Sequence, residues 1–165
     1  MVVIGVLSDT HLHNPDDWLM SLFKPGHPLF ECNMLIHAGD FTSINILNAL
    51  ESQGLVYGVQ GNMDDYALRE RLSPKKVIRI EGVKIGITHG WGAPYGLARR
   101  VYDFFNDPTL NCIVFGHSHV SEKTTLGHTL MFNPGSFRSH HLTRKRSVGK
   151  LFVEGKNIWG EIVPL

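Results

Sequence analysis

Short apolar runs recur along this chain of 165 residues, and five of them break off into the same kind of polar ending. The first, Val2-Val3-Ile4-Gly5-Val6-Leu7, is mostly β-branched and too short for an amphipathic helix, so it reads as a strand buried on both faces. Asp9 and His11 stand just past its end. In extended chain, residues two apart point the same way, so this carboxylate and imidazole are expected to converge. Met34-Leu35-Ile36 then runs into His37-Ala38-Gly39-Asp40, and residues 55–60 run into Gly61-Asn62-Met63-Asp64. Residues 83–88 end at His89-Gly90, and residues 112–115 at Gly116-His117-Ser118-His119. Each buried-strand signal closes on a side chain able to ligate a metal, with a glycine nearby that permits a sharp exit.

The intervening pattern predicts the remaining elements. Residues 16–23 are expected to make two helical turns, with Asn14 as cap and Pro15 in the first position. Thr42 or Ser43 caps a helix whose Ile44, Leu47 and Leu50 share a face. A short helix over 65–72 closes at Ser73-Pro74. Residues 77–80 and 83–87 flank Glu81-Gly82 as a hairpin, and a helix beginning at Pro94 carries the stripe Leu97, Val101 and Phe104 or Phe105. Strands over 129–132, 148–154 and 158–163 follow, the last two joined by Gly155-Lys156-Asn157. The first half alternates strand and helix and the second is dominated by strands. A mixed α/β sandwich, two sheets face to face with helices outside, accommodates both.

Composition narrows the classes. A length of 165 residues with 42% apolar and 19% charged residues suits one globular domain, here 1–165, and excludes disorder. The net charge is +1 and basic residues are scattered apart from Arg144-Lys145-Arg146, a run expected at a charged turn. No long nucleic acid is therefore expected as a partner. No apolar stretch reaches the length of a bilayer span, and nothing resembles a secretory signal, so no membrane association is expected. Cys32 and Cys112 read as reduced thiols, which together with those absences predicts a cytoplasmic protein.

Ten histidines are the compositional oddity, and four of them belong to the strand-end endings. The candidate set is Asp9, His11, Asp40, Asn62, His89, His117 and His119. Two carboxylates, four imidazoles and an amide oxygen, without thiolate, suit Mn, Fe, Co, Ni or Zn. Seven ligands exceed what one such ion takes, but suit two ions sharing a carboxylate, the arrangement used for in-line displacement at phosphorus. Of the other histidines, His37 reads as a hydrogen-bonded core residue, and His27 and His128 as loop residues. His13 is a candidate to face the site, and His140 and His141, with Arg138, could meet a substrate phosphate as readily as form a solvated face.

Asp9-x-His11, Gly39-Asp40, Gly61-Asn62-x-Asp64, His89-Gly90 and Gly116-His117-x-His119 resemble, in order, the motif series of the calcineurin-like metallophosphoesterase superfamily. The likeness is to its small single-domain prokaryotic phosphodiesterases and covers residues 2 to about 137. It implies an α+β, four-layer αββα fold with a dinuclear metal site at the strand ends. It also implies Asp9, His11 and His119 on one ion, Asn62, His89 and His117 on the other, and Asp40 bridging both. The implied catalytic residues are Asp40, Asn62 and His89, and the implied reaction is attack of a metal-bridging hydroxide on a small phosphate ester or nucleotide. Mn2+ is the expected metal, with Fe, Ni, Co or Zn as alternatives, and a homodimer is the assembly that family members of this size suggest. Asn133-Pro134-Gly135-Ser136 resembles a loop of the same branch and is expected to support the site.

Two positions depart from the series. Many members carry an aspartate three residues after the bridging one, where this chain has Ser43. Many also carry a histidine between the asparagine and the acidic residue, a candidate general acid, where this chain has Met63. A thioether cannot protonate a leaving alkoxide, which leaves His13 and His141 as candidates and Asp64 as support. A second reading is an interaction scaffold, since the retromer subunit with this fold looks like a case in which a degraded site leaves the surface to act. Complete ligation at all seven positions favours the enzyme.

Overall fold

The computed structural model describes residues 1–138 and 145–165. Its elements in chain order are β1 (Val2–Leu7), α1 (Asp17–Met20) with a 3-10 turn (Ser21–Phe23), β2 (Met34–His37), α2 (Ile44–Glu51), β3 (Val56–Gly58), α3 (Tyr66–Arg71), β4 (Lys75–Ile80), β5 (Val83–Thr88), α4 (Leu97–Phe105), β6 (Cys112–Val114), β7 (Glu122–Leu126), β8 (Thr129–Asn133), β9 (Ser147–Glu154) and β10 (Asn157–Pro164). The described strands form two five-stranded mixed sheets, ordered β10-β9-β1-β2-β3 and β4-β5-β6-β8-β7.

The alternation within each strand decides the layering. In β1, Ile4 and Val6 enter a cluster with Ile36, Ile78, Ile85, Val114 and Phe132, which lies between the sheets. Leu7 faces the other way, toward Leu19, Leu22, Ile46, Leu47, Leu50 and Leu68 of the helices on the first sheet. On the second sheet, Leu97, Val101 and Phe105 of α4 cover Ile113, Phe115 and Met131. The order is thus helices, sheet, sheet, helix, the αββα sandwich expected from the pattern. No helix among the described residues is long and apolar enough to cross a membrane.

Several boundaries differ from the sequence reading. The cap of α1 is Asp16, whose carboxylate accepts from the Leu19 N–H at 2.8 Å, while Asn14 instead accepts from the Asn45 side chain. Ser43 caps α2 through the Asn45 N–H, leaving Thr42 in a left-handed conformation beside the site. Of the α4 stripe, Phe105 is buried and Phe104 exposed, and the helix begins at Leu97 after a Gly96 cap rather than at Pro94. Strand β7 was not predicted: Glu-Lys-Thr-Thr-Leu lies on an edge with its three central residues exposed, so no core face imposes an apolar alternation.

His37 is fully buried in β2, stacked on Phe41 at 3.5 Å, with Nε2 3.2 Å from the Thr10 hydroxyl. Burial holds its pKa down at about 3, so the ring is a neutral core residue, as the sequence suggested. Cys32 and Cys112 are free thiols.

Candidate metal centre

The strands β1, β2 and β3 run parallel in one sheet, and β5, β6 and β8 run parallel in the other. Their C-terminal ends therefore collect along one edge of the sandwich, the place where open α/β sheets bind ligands. Every candidate ligand follows one of these strands: Asp9 and His11 follow β1, Asp40 follows β2, Asn62 β3, His89 β5, and His117 and His119 β6.

The convergence of Asp9 and His11 does not come from extended chain, as the spacing alone suggested. Both are left-handed, with φ of 55° and 47°, as are Asp40 at 58°, His117 at 69° and His119 at 59°. Such backbone is rare outside glycine and is retained where surrounding structure overrides its strain. Here neighbouring loops hold one another: the N–H groups of Asp9, His11 and Leu12 donate to the carbonyls of Gly39, Asp40 and Phe41. The loop after β8 does the same from the other side. The Ser136 hydroxyl donates to the Asp9 carbonyl, and the Asn133 amide to the Gly116 carbonyl at 2.9 Å, so the Asn-Pro-Gly-Ser segment supports two ligand-bearing loops.

The side chains fall into two groups, Asp9-His11-His119 and Asp9-Asp40-His89, either able to hold a metal ion. Asp9 Oδ1 is 3.1 Å from His119 Nε2, 3.7 Å from His11 Nε2 and 3.9 Å from His89 Nε2, and the two nitrogens of His11 and His119 are 3.3 Å apart. Asp40 Oδ2 is 3.2 Å from His89 Nε2 and 3.8 Å from His11 Nε2, which places it between the groups. Metal–ligand bonds of about 2.0–2.2 Å put neighbouring ligand atoms roughly 3.0–3.4 Å apart, so the separations of 3.1, 3.2 and 3.3 Å are those of a coordination shell and those of 3.7, 3.8 and 3.9 Å are wider than one. Asp9 Oδ1 and His89 Nε2 are buried and have no well-directed hydrogen bond, a need that bound ions would satisfy.

Hydrogen bonds behind the ligands fix which atoms face inward. Asp9 Oδ2 accepts from the Ser8 hydroxyl at 2.5 Å and the His117 N–H at 3.2 Å, leaving Oδ1 to the histidines. His89 Nδ1–H donates to the Ala38 carbonyl at 2.7 Å, so Nε2 carries the lone pair. His117 Nε2–H donates to the Gly92 carbonyl at 2.9 Å, which turns Nδ1 toward Asn62 Oδ1 at 3.2 Å. In the neutral ring, with the amide oxygen turned this way, those two atoms are both acceptors, and a cation between them would satisfy both.

The electrostatics say the same. Burial alone would lower the His89 pKa, but the Asp40 and Asp9 carboxylates outweigh it and carry the pKa to about 9. Burial would raise Asp9, yet the surrounding histidines drive it well below the usual carboxylate range. Against the same burial, His89 and the Met63 N–H lower Asp40. Protons on these imidazoles thus occupy places that a divalent ion would take.

Three further positions were singled out from sequence. Asp64 does not join the ligands: its two oxygens accept from the Gly61 N–H at 2.7 Å and the Thr42 N–H at 2.8 Å, which clamps the Asn62 loop to the Asp40 loop. His13 is exposed, and is not among the residues lining the cleft, which include Met63, Ser136 and Arg138 beside the ligands. His141, with His140, lies outside the described residues. Sequence reading missed Ser8 and the Ala38 and Gly92 carbonyls; backbone acceptors carry no residue-type signal.

The family profile of the calcineurin-like phosphoesterase superfamily domain matches residues 2–156. The chain belongs to that superfamily. A probable metallophosphoesterase of Methanothermobacter thermautotrophicus is 31% identical over 98% of this chain and 92% of its own length. A phosphodiesterase of Methanocaldococcus jannaschii is 25% identical over 97% of this chain and 98% of its own. The solution structure of Thermotoga maritima protein TM1076 covers 100% of both chains at 33% identity with a TM-score of 0.73. Entamoeba histolytica Vps29 complexed with zinc, at 20% identity, covers 99% of both chains with a TM-score of 0.71 and shares the fold. Membership places the chain among metal-dependent hydrolases acting on phosphate esters.

For a calcineurin-like phosphoesterase built this way, the Asp64 clamp sets the position of Asn62. Asp64→Asn keeps the shape but offers one acceptor oxygen where two N–H groups converge. Metal-dependent ester hydrolysis is expected to fall about 10–100-fold with the far-UV spectrum unchanged. A rate within twofold of the parent would show that the loop holds without the carboxylate.

Proposed function

We propose that this protein is a phosphodiesterase that hydrolyses a small phosphate ester with two divalent ions, Mn2+ foremost, held by Asp9, His11, Asp40, Asn62, His89, His117 and His119. The observation that carries the reading is the convergence of Asp9, His11, Asp40, His89 and His119 in two groups able to hold an ion, with buried Asp9 Oδ1 and His89 Nε2 among them and Asn62 Oδ1 facing His117 Nδ1 at 3.2 Å beside them. Asp9, His11 and His119 would hold one ion, Asn62, His89 and His117 the other, and Asp40 both. The ions supply Lewis acidity toward phosphoryl oxygens and lower the pKa of water. The chain's own part is to present lone pairs in fixed directions: Ala38 and Gly92 set the tautomers of His89 and His117, while Ser8 and the His117 N–H turn Oδ1 of Asp9 inward. Esters with leaving groups of low pKa are favoured because Met63, 58% exposed at the cleft, supplies no acid, and such a leaving group needs none.

The test is hydrolysis of an aryl phosphodiester and its matching monoester by chelator-stripped protein, with and without added Mn2+. Cleavage of the diester restored only by the metal is expected. Binding of two ions without cleavage of either ester would favour an interaction scaffold of the same fold, and absence of metal binding would remove the enzyme reading. Affinity for the ion carries its own signature. With the His89 pKa raised to about 9, the ion that His89 would hold must displace a proton there at lower pH. Apparent affinity is therefore expected to rise with pH up to about 9, by roughly tenfold per pH unit for one displaced proton, and to level off above it. A flat profile from pH 6 to 8 by calorimetry would refute the involvement of His89.

A further inference from the structure

Beside the candidate metal centre lies a second cavity, of about 430 Å³, that the ligand set does not explain. His89 and Asn62 form the wall it shares with the centre, and Gly61, Gly90, Pro74, Gln60 and Arg69 line it further out. Its remaining wall is aromatic. Trp91 and Phe104 meet edge to face at 5.1 Å, and remain 45% and 41% exposed. Together the two rings form a contiguous exposed aromatic patch beside the polar centre, and a contiguous patch of this kind is what a binding groove presents.

The loop carrying Trp91 is also held more firmly than a surface loop requires. The Arg100 guanidinium, projecting from α4, donates to the carbonyls of Trp91 at 3.1 Å, Ala93, and Tyr95 at 2.9 Å. Gly92, the next residue, accepts from Nε2 of His117. One carbonyl thus ties the indole loop to a candidate ligand of the second ion, so the ring stands at a fixed offset from the reacting centre. Arg69, which donates to the carbonyls of Asp64 and Asn62, and Gln60, whose Nε2 donates to the Leu72 carbonyl at 3.0 Å, also line the cavity, which gives it a guanidinium and an amide oxygen.

We propose that this cavity receives the organic arm of the ester, and that the arm is a planar aromatic group, a nucleobase, stacked against Trp91 with its edge toward Gln60 and Arg69. The inference rests on the phosphoesterase reading and names the substrate class within it: nucleotide esters. Two glycines, a proline and two aromatic rings make a slot with flat walls, which fits a ring better than a branched aliphatic group. Two polar side chains at the rim suit the hydrogen-bonding edge that a base has and a simple aryl group lacks.

The experiment uses Mn2+-loaded protein and two probes that share a sugar phosphate, adenosine 5′-monophosphate and ribose 5-phosphate, with binding measured by calorimetry for the parent, Trp91→Ala and Trp91→Phe. The nucleotide is expected to bind the parent about tenfold or more tightly than ribose 5-phosphate. That gap should close in Trp91→Ala, reopen in part in Trp91→Phe, and leave the ribose 5-phosphate affinity unchanged throughout. Equal affinities in the parent, or a gap that survives Trp91→Ala, would overturn the aromatic subsite while leaving the phosphoesterase reading intact. Metal-loaded protein that binds neither probe would likewise overturn the nucleobase subsite, while failure of the phosphoesterase reading would appear separately, as no Mn2+-dependent cleavage of the aryl diester.

Discussion

Asp40→Ala is expected to abolish metal-dependent ester cleavage, with a fall in kcat of at least about 10³-fold. Asp40 reaches a histidine of each ligand group, with Oδ2 3.2 Å from His89 Nε2 and 3.8 Å from His11 Nε2. Removing it takes a negative ligand from both ions at once. A metal supplies several kcal/mol of stabilisation to developing phosphoryl charge, and each 1.36 kcal/mol is a factor of ten in rate. The other carboxylate oxygen accepts from the Met63 N–H at 2.7 Å, so alanine also frees the turn that carries Asn62. Asp40→Asn separates these effects, since its amide oxygen can still accept from the Met63 N–H while the charge and the oxygen that faces the histidines are lost. Both variants should stay folded by circular dichroism and bind fewer than two ions per chain by metal analysis. Retention of a tenth of the parent rate by Asp40→Ala would rule out a bridging role.

Gly61→Ala should do almost as much damage through a single methyl group. A Cβ at position 61 would lie 2.2 Å from both the backbone nitrogen and Oδ1 of Asp40, and no rotamer relieves a clash with backbone. The loops after β2 and β3 would have to separate, which breaks the Asp64 clamp as well. Overpacking of this kind costs about 3 kcal/mol, which in a chain of this length lowers the melting temperature by roughly 6–12 °C. Metal-dependent hydrolysis should fall with it, because Asn62 and Asp40 could no longer serve the same ion. Gly54→Ala is the control, since nothing lies within 4 Å of a Cβ there. Equal melting temperatures for the two variants would show that the loops part without penalty.

The ligand positions were legible because each is a polar residue set directly after a buried apolar run, and a strand end is where such a run must stop. The layering was legible for the same reason: β1 buries both faces and α4 only a stripe. What escaped the sequence is local. The strand-like spacing of Asp9 and His11 suggested the right meeting by the wrong geometry, since the left-handed backbone at both depends on hydrogen bonds from a loop some thirty residues away. Strand β7 was hidden because an edge owes little to the core, and the cap moved from Asn14 to Asp16 because either residue could serve until tertiary contacts chose. His13 sat close to the motif in sequence but turned outward, and the carbonyls that orient His89 and His117 have no letter of their own.

The placement of the ligands on both sheets has a consequence for how the chain comes apart. Described strands pair only within their own sheet, so across the sandwich the contacts are those of side chains and loops. Ions gripped by Asp9 and Asp40 on one side and His89, His117 and His119 on the other would act as reversible staples, tying together points as far apart in sequence as Asp9 and His119, about 110 positions. For a covalent link of that span, loop closure alone is worth on the order of 4–5 kcal/mol. Chelation would then do more than silence the site. It would turn a cross-linked sandwich into two sheets held by their greasy interface, quicker to open and easier for a protease to enter, so that metal supply would govern the lifetime of the molecule as well as its chemistry.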